Sequence, residues 1–428
     1  MQTTLADKKR DLINTFLLVL GYGLFFYCLQ VFLYHAGLVS SVAGDDTLLR
    51  WDSGVYQSIS QFGYTHNDDK INNTGCYVLF PWVWRLLHAN VSGICVANYI
   101  FFAVGFTLVT GIYKIATKEK LLWLTTPSLY FMAVPYTEAL FCLLTAMSFY
   151  GIFTQKRWLI WLSLFLVSLT RATAVFLIPS LLIMELVTNN KKDIVRVFLN
   201  YLVQYAAPTL AGLVVFVLVQ YHDTGIWLAY YKQQVKYLGH EFSWPALPFS
   251  NPYAGDKIIW LSALAILVCF VSSIMIVRRV YEWIFKSKVA PDKLLILTLT
   301  YLPVILLSII FCSPKWGTNT TNVPGIHRYV LCTPFIFIFL YHFVSNAGQY
   351  AFRHFIAMFI LCNITWLSVG AYIHLQQWLF FNFITLLVFG YMLHANRKTE
   401  WATLAIIAIN VVIQVTLFQL YLTNIYTE

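Results

Sequence analysis

Apolar residues fall along this chain in long runs, set apart by short polar or basic breaks. A helix needs ~20 apolar residues to cross a bilayer, and runs of this kind predict membrane spans. Thirteen can be traced: 12–34, 92–113, 121–134, 137–154, 158–170, 172–186, 197–220, 258–277, 294–312, 329–343, 352–372, 378–393 and 401–422. Several are short. The pairs that meet at Pro135 and at Arg171 predict tight hairpins or half-helices near one membrane face. The first run is too long for the apolar core of a signal peptide and lacks a small-residue cleavage site, so it is expected to be the first span. The expected fold class is an all-α polytopic membrane protein of about 11–13 transmembrane helices, forming one integral membrane domain over 1–428.

The polar breaks are of two kinds. With the N-terminus placed in the cytoplasm, alternation puts 19 of the 28 basic residues and eight of the 18 acids on the inner side. That bias is the orientation signal expected of short cytoplasmic loops. It also accounts for the net charge of +10 without any nucleic-acid partner. Inner loops are short and basic. The outer side carries the long segments 35–90 and 221–257 and a shorter one near 313–326, which hold most of the Gly, Pro, Trp and Tyr punctuation. Long loops with their own polar chemistry are where function concentrates. Composition agrees: 59% of the residues are hydrophobic, 18% aromatic and only 11% charged, which excludes a soluble globular or disordered chain. The eight cysteines follow no metal spacing, although Cys76 and Cys312 near segment ends could pair. No metal or cofactor is expected.

Four segments carry candidate chemistry. In the first outer loop, Asp45, Asp46, Arg50, Trp51 and Asp52 precede Val55, Tyr56, Ile59 and Phe62, whose spacing predicts an interfacial amphipathic helix. Asp52 would stand at its N-cap, where it either only caps the helix or acts as a general base at the membrane surface. The apolar stretch around Phe80-Pro81 predicts a second surface or re-entrant helix. Glu138 follows Pro135-Tyr136-Thr137 at the start of a span, and an ionisable group at membrane depth is a functional candidate, or else a helix cap. Arg171 interrupts some thirty apolar residues, while Lys315, His327 and Arg328 sit at the outer mouth of two later spans. The arginines would either clamp a lipid phosphate through their planar forks or pair with acids of the bundle. Asp68-Asp69 near His66 forms a weaker candidate, and Asn72, Asn90 and Asn319 match the glycosylation acceptor pattern.

Arg50-Trp51-Asp52 with Tyr56, Ile59 and Phe62-Gly63-Tyr64 resembles the first-loop motif of the PIG-V type mannosyltransferases, in the GT-C superfamily of membrane glycosyltransferases. Phe80-Pro81, Pro135 to Phe141, Leu169-Thr170-Arg171 and His327-Arg328-Tyr329 are similar to that family in the same order. Two positions depart from its pattern: Ser53-Gly54-Val55 follows the Trp-Asp pair, and Ala172 follows the Thr-Arg pair. The resemblance implies the GT-C fold and transfer of mannose or a similar hexose from a polyprenyl- or dolichyl-phosphate sugar. The acceptor would be a lipid-linked sugar or glycan on the non-cytoplasmic face. It places the protein in a bacterial or archaeal cell membrane, or in the endoplasmic reticulum membrane of a eukaryote. Asp52, with Asp45, Asp46 and Glu138, would carry the catalytic acid-base work. Arg50, Trp51, Tyr56, Tyr136, Arg171, Lys315, His327 and Arg328 would bind substrate. The competing expectation from the residues alone is a transporter or lipid flippase with an intramembrane Arg/Glu site.

Overall fold

The computed structural model describes residues 5–66, 72–113, 115–250, 255–313, 320–346, 349–369, 375–394 and 400–425. Among them the chain is helical throughout, and a lone bridge between Ser250 and Asn322 is the nearest approach to a sheet. In chain order the α-helices are α1 (Leu5–His35), α2 (Asp45–Leu48), α3 (Asp52–Phe62), α4 (Leu79–Leu87), α5 (Val91–Tyr113), α6 (Thr117–Leu124), α7 (Glu138–Thr154) and α8 (Arg157–Val167). They continue as α9 (Leu177–Val187), α10 (Ile194–Tyr201), α11 (Ala207–Thr224), α12 (Ala229–Lys232), α13 (Gly255–Lys286) and α14 (Lys293–Cys312). The last are α15 (Ile326–Leu331), α16 (Pro334–Ser345), α17 (Phe352–Val369), α18 (Leu375–His394) and α19 (Glu400–Leu422).

Seven helical stretches are long and apolar enough to cross a membrane: Lys9–His35, Val91–Tyr113, Lys191–Thr224, Ile258–Lys286, Lys293–Cys312, Phe352–Val369 and Trp401–Leu422. They overlap seven of the thirteen apolar runs, and the protein is a multi-pass membrane protein. The other six runs are broken or short. Pro127–Ala133 and α7 form one bent pair, with 98° between their axes, while α8, Ala172–Val187, α16 and Leu375–Gly390 are shorter apolar helices. The bend has a local cause. Pro135 forces Val134 into extended backbone (φ −111°, ψ 164°), so the 3-10 turn before it cannot run on into α7.

Close approach of backbones fixes α7. A Cβ added at Gly105 of α5 would lie 3.0 Å from the Leu143 Cα of α7, and one at Gly212 of α11 would run into the Phe165 carbonyl of α8. Small residues at such crossings let lipid-embedded helices pack by dispersion, where the hydrophobic effect supplies no drive. Segment 35–90 folds into α2, α3 and α4, and the long segment expected at 221–257 begins only after Thr224, where α11 ends.

The two kinds of loop collect at opposite ends of the bundle. At one end Gln220 donates to the Thr74 carbonyl (2.7 Å), Tyr64 N–H to Asp223 (3.2 Å) and Phe249 N–H to the Ser368 carbonyl (2.6 Å). At the other Lys120 meets Asp11 (2.9 Å), Lys293 meets Glu185 (2.6 Å) and Ala290 N–H reaches the Val187 carbonyl (3.0 Å). Loops that the basic bias assigns to one side thus touch one another.

Candidate functional site

Three buried charges meet where the broken spans end. Glu138 begins α7 just past the Pro135 bend; Arg171 stands in extended backbone between α8 and the turn Ala172–Phe176; Arg328 lies on the short helix α15. Arg171 Nη1 is 3.0 Å from Glu138 Oε1, and Arg328 reaches the same oxygen with Nη2 at 2.7 Å and Nε at 2.8 Å. All three are buried, Glu138 completely. Glu138 Oε2 is buried and accepts no hydrogen bond among the described residues. Two guanidiniums therefore share one carboxylate oxygen. Aromatic faces cover them: Arg328 lies 4.6 Å from the Tyr136 ring and 5.0 Å from Phe131, and Arg171 lies 4.9 Å from Tyr329. Such faces stabilise a cation that has lost its water. His327 is buried next to Arg328, its ring 6.0 Å from Phe131.

Asp52 is the fourth charge. Burial pushes its carboxyl above the ordinary carboxylate range, Arg328 and Arg171 pull it down, and Glu138 adds to the rise. It is the first residue of α3 and not its N-cap, as the sequence pattern suggests. The cap position belongs to Trp51, whose backbone (φ 44°, ψ −118°) lies in a region that bulky residues rarely occupy. The buried face of α3 is also turned. Ser53, Tyr56, Ile59 and Ser60 face inward, while Phe62 is 76% exposed, so the expected apolar stripe through Val55 and Phe62 is displaced. Tyr56 packs edge-on to Phe80 (5.4 Å) and to Tyr136 (6.4 Å).

The remaining expected residues divide clearly. Tyr136 is fully buried and donates to the Arg50 carbonyl (3.1 Å). Arg50 turns its guanidinium to the Leu422 carbonyl (3.0 Å), and Trp51 packs edge-on against Tyr421 (5.5 Å). Asp45 caps α5: it accepts from Ser92 N–H (2.8 Å), Ser92 Oγ and Asn90 Nδ2 (3.0 Å). The Ser92 bonds hold its carboxyl below the usual range. Asp46 is exposed. Asn90, an expected glycosylation acceptor, also caps this helix through Gly93 N–H (3.0 Å). Cys76 and Cys312 form no disulfide with one another. Lys315, Asp68, Asp69 and Asn319 lie outside the described residues.

Asn98 was not singled out by its sequence context. From the middle of α5 it donates to the carbonyls of Val134 (2.7 Å) and Tyr136 (2.8 Å), holding the turn that presents Glu138. A polar amide inside an apolar span was the available signal. Among the described residues no group of acids, histidines or cysteines could hold a metal ion. An apolar cavity of about 160 Å³ reaches from Trp123, Thr126 and Pro127 to Leu331, one turn of α15 beyond Arg328. The chemistry on offer is anion binding by paired guanidiniums next to a carboxyl group of raised pKa.

No family model, no curated protein and no solved structure matches this chain.

Proposed function

We propose that this protein is a membrane glycosyltransferase of GT-C type that moves a hexose, mannose by its motif resemblance, from a polyprenyl- or dolichyl-phosphate sugar to a lipid-linked or glycan acceptor. The observation that carries the reading is the convergence of Arg171 and Arg328 on a single oxygen of Glu138, with Asp52 among the charges that act on one another there. A lipid-phosphate leaving group needs cationic stabilisation as the anomeric carbon–oxygen bond breaks, and paired arginines supply it. The acceptor hydroxyl needs a base, and Asp52, by hypothesis, takes its proton as the new glycosidic bond forms. Glu138 holds the guanidiniums before substrate arrives, and the cavity reaching Leu331 suits an apolar chain. The site end is assigned to the non-cytoplasmic side, with the N-terminus in the cytoplasm, from the distribution of basic residues.

Purified protein is incubated with radiolabelled polyprenyl-phosphate mannose and a mixture of lipid acceptors. Release of lipid phosphate with label moving to a new lipid is the expected result. Label that crosses a sealed vesicle with its donor bond intact would instead identify a flippase.

A further inference from the structure

The turn that delivers Asp52 is strained and is held from far away in the chain. Trp51, a bulky residue, sits at φ 44° and ψ −118°. Strained backbone persists only where its surroundings over-determine it. Four contacts do so here. Tyr421 donates to the Leu48 carbonyl (2.7 Å), Tyr136 and Ser53 donate to the Arg50 carbonyl, and the Arg50 guanidinium reaches the Leu422 carbonyl (3.0 Å). Two of the four come from the last turn of α19, and the Tyr421 ring also packs edge-on to Trp51 (5.5 Å) and to Tyr136 (6.1 Å). Tyr421 is completely buried, so its hydroxyl has no water to turn to.

We propose that Tyr421 is a positioning residue: from the end of α19 it locks the Leu48–Trp51 turn and thereby sets where the Asp52 carboxylate stands. This rests on the proposed role of Asp52 as base. Tyr421 shapes the loop that carries the base and the wall that Tyr136 presents, and it takes no part in the chemistry. Its aromatic partners remain if only the hydroxyl is removed, which makes Tyr421→Phe a mild change. Tyr22→Phe is the matched control: it removes a hydroxyl that donates to Gln414 on the same helix, away from the turn.

Two readouts separate this proposal from the reading beneath it. Hydrogen exchange in the first loop needs no activity. Loss of one neutral hydrogen bond should speed exchange of the Ser53 and Gly54 amides by about fivefold in Tyr421→Phe, and Tyr22→Phe should leave it unchanged. Turnover is measured on the same samples. Tyr421→Phe should lower kcat roughly 10- to 100-fold with the donor KM within about twofold, and should move the acid limb of the pH–rate profile as the Asp52 carboxyl gains water. Unchanged exchange overturns the proposal. So does faster exchange with unchanged kcat and pH profile, or an equal loss of kcat in Tyr22→Phe. A wild-type protein that transfers no sugar counts against the enzyme reading alone, and the exchange result then decides whether Tyr421 holds the turn.

Discussion

Both ends of the bundle bury acids with basic partners, yet the two sets are built differently. At the end opposite the site, Glu185 is bonded through both oxygens: Oε1 meets Lys293 (2.6 Å) and Tyr205 (3.0 Å), and Oε2 accepts from Asn189 (3.0 Å). Lys120 there is likewise closed by Asp11 (2.9 Å) and Thr15 (2.7 Å). At the site end, three guanidinium nitrogens crowd onto Glu138 Oε1, and Oε2 has no partner among the described residues. Acid and base balance one to one in the first set. In the second, two guanidiniums converge on one carboxylate oxygen, with Asp52 acting on both. A carboxylate bonded through both oxygens ties helices together, whereas Glu138 leaves one acceptor oxygen unused among the described residues.

The largest expected effect falls on Asp52. A positioned base contributes roughly 10²–10⁴-fold, so Asp52→Asn should lose that much turnover with donor affinity nearly intact. The sign for stability runs the other way. Because burial raises its pKa, folded Asp52 keeps a proton that the unfolded chain has already released. The stability it contributes is full below the unfolded value, ~4, and is lost as pH rises through the folded value. Asp52→Asn should therefore raise Tm at pH 7 and change it little at pH 4. The wild-type rate should fall on acidification at a pH above the ordinary carboxylate range. A variant with normal turnover removes Asp52 as the base.

Next comes the direct test of the contrast between the two ends. Glu138→Gln leaves two buried guanidiniums uncompensated and should cost about 3–5 kcal/mol. Glu185→Gln should cost only about 1–2 kcal/mol, since Lys293 can turn to water. Inorganic phosphate should restore part of the Tm of Glu138→Gln and none of Glu185→Gln. Equal losses, or equal rescue, would erase the distinction. Arg171→Lys keeps the charge and loses the fork, so the donor KM should rise about tenfold. Lys293→Arg should leave it unchanged. The smallest effects belong to Asp45 and Asp46: Asp45→Ala should lower Tm slightly by uncapping α5, and Asp46→Asn should change neither Tm nor turnover. Loss of turnover in Asp46→Asn with Tm unchanged would move the base to Asp46.

The apolar runs made the helical membrane architecture legible, because a bilayer imposes the same demand on every span. Pro135 and Arg171 marked the breaks, since neither a ring without an N–H nor a charge continues an apolar helix unnoticed. The number of full crossings was less legible: α8, α9 and α16 are apolar and yet shorter than a span, and hydropathy does not distinguish them. The interfacial helix α3 was legible in the spacing of Val55, Ile59 and Phe62, but not that Ile59 turns inward with Tyr56 while Phe62 stays exposed, because which neighbours cover a helix is settled by the rest of the fold. Asp45 stood out by its company, but the capping bond it makes to α5, formed 47 residues away, was not legible. Neither the meeting of Arg328 with Glu138, 190 residues apart, nor the grip of Tyr421 on Leu48 leaves any local trace in the sequence.

That grip has a consequence for biogenesis. Arg50 and Leu422, joined by one hydrogen bond, are separated by 372 residues. Chains emerge from the ribosome at about 5–20 residues per second, so the first loop waits tens of seconds in the membrane before its last partner exists. During that interval Asp52 is made but not yet held, and a nascent chain lacking α19 is expected to be inert towards the lipids around it. Insertion of α19 then locks the first loop in place.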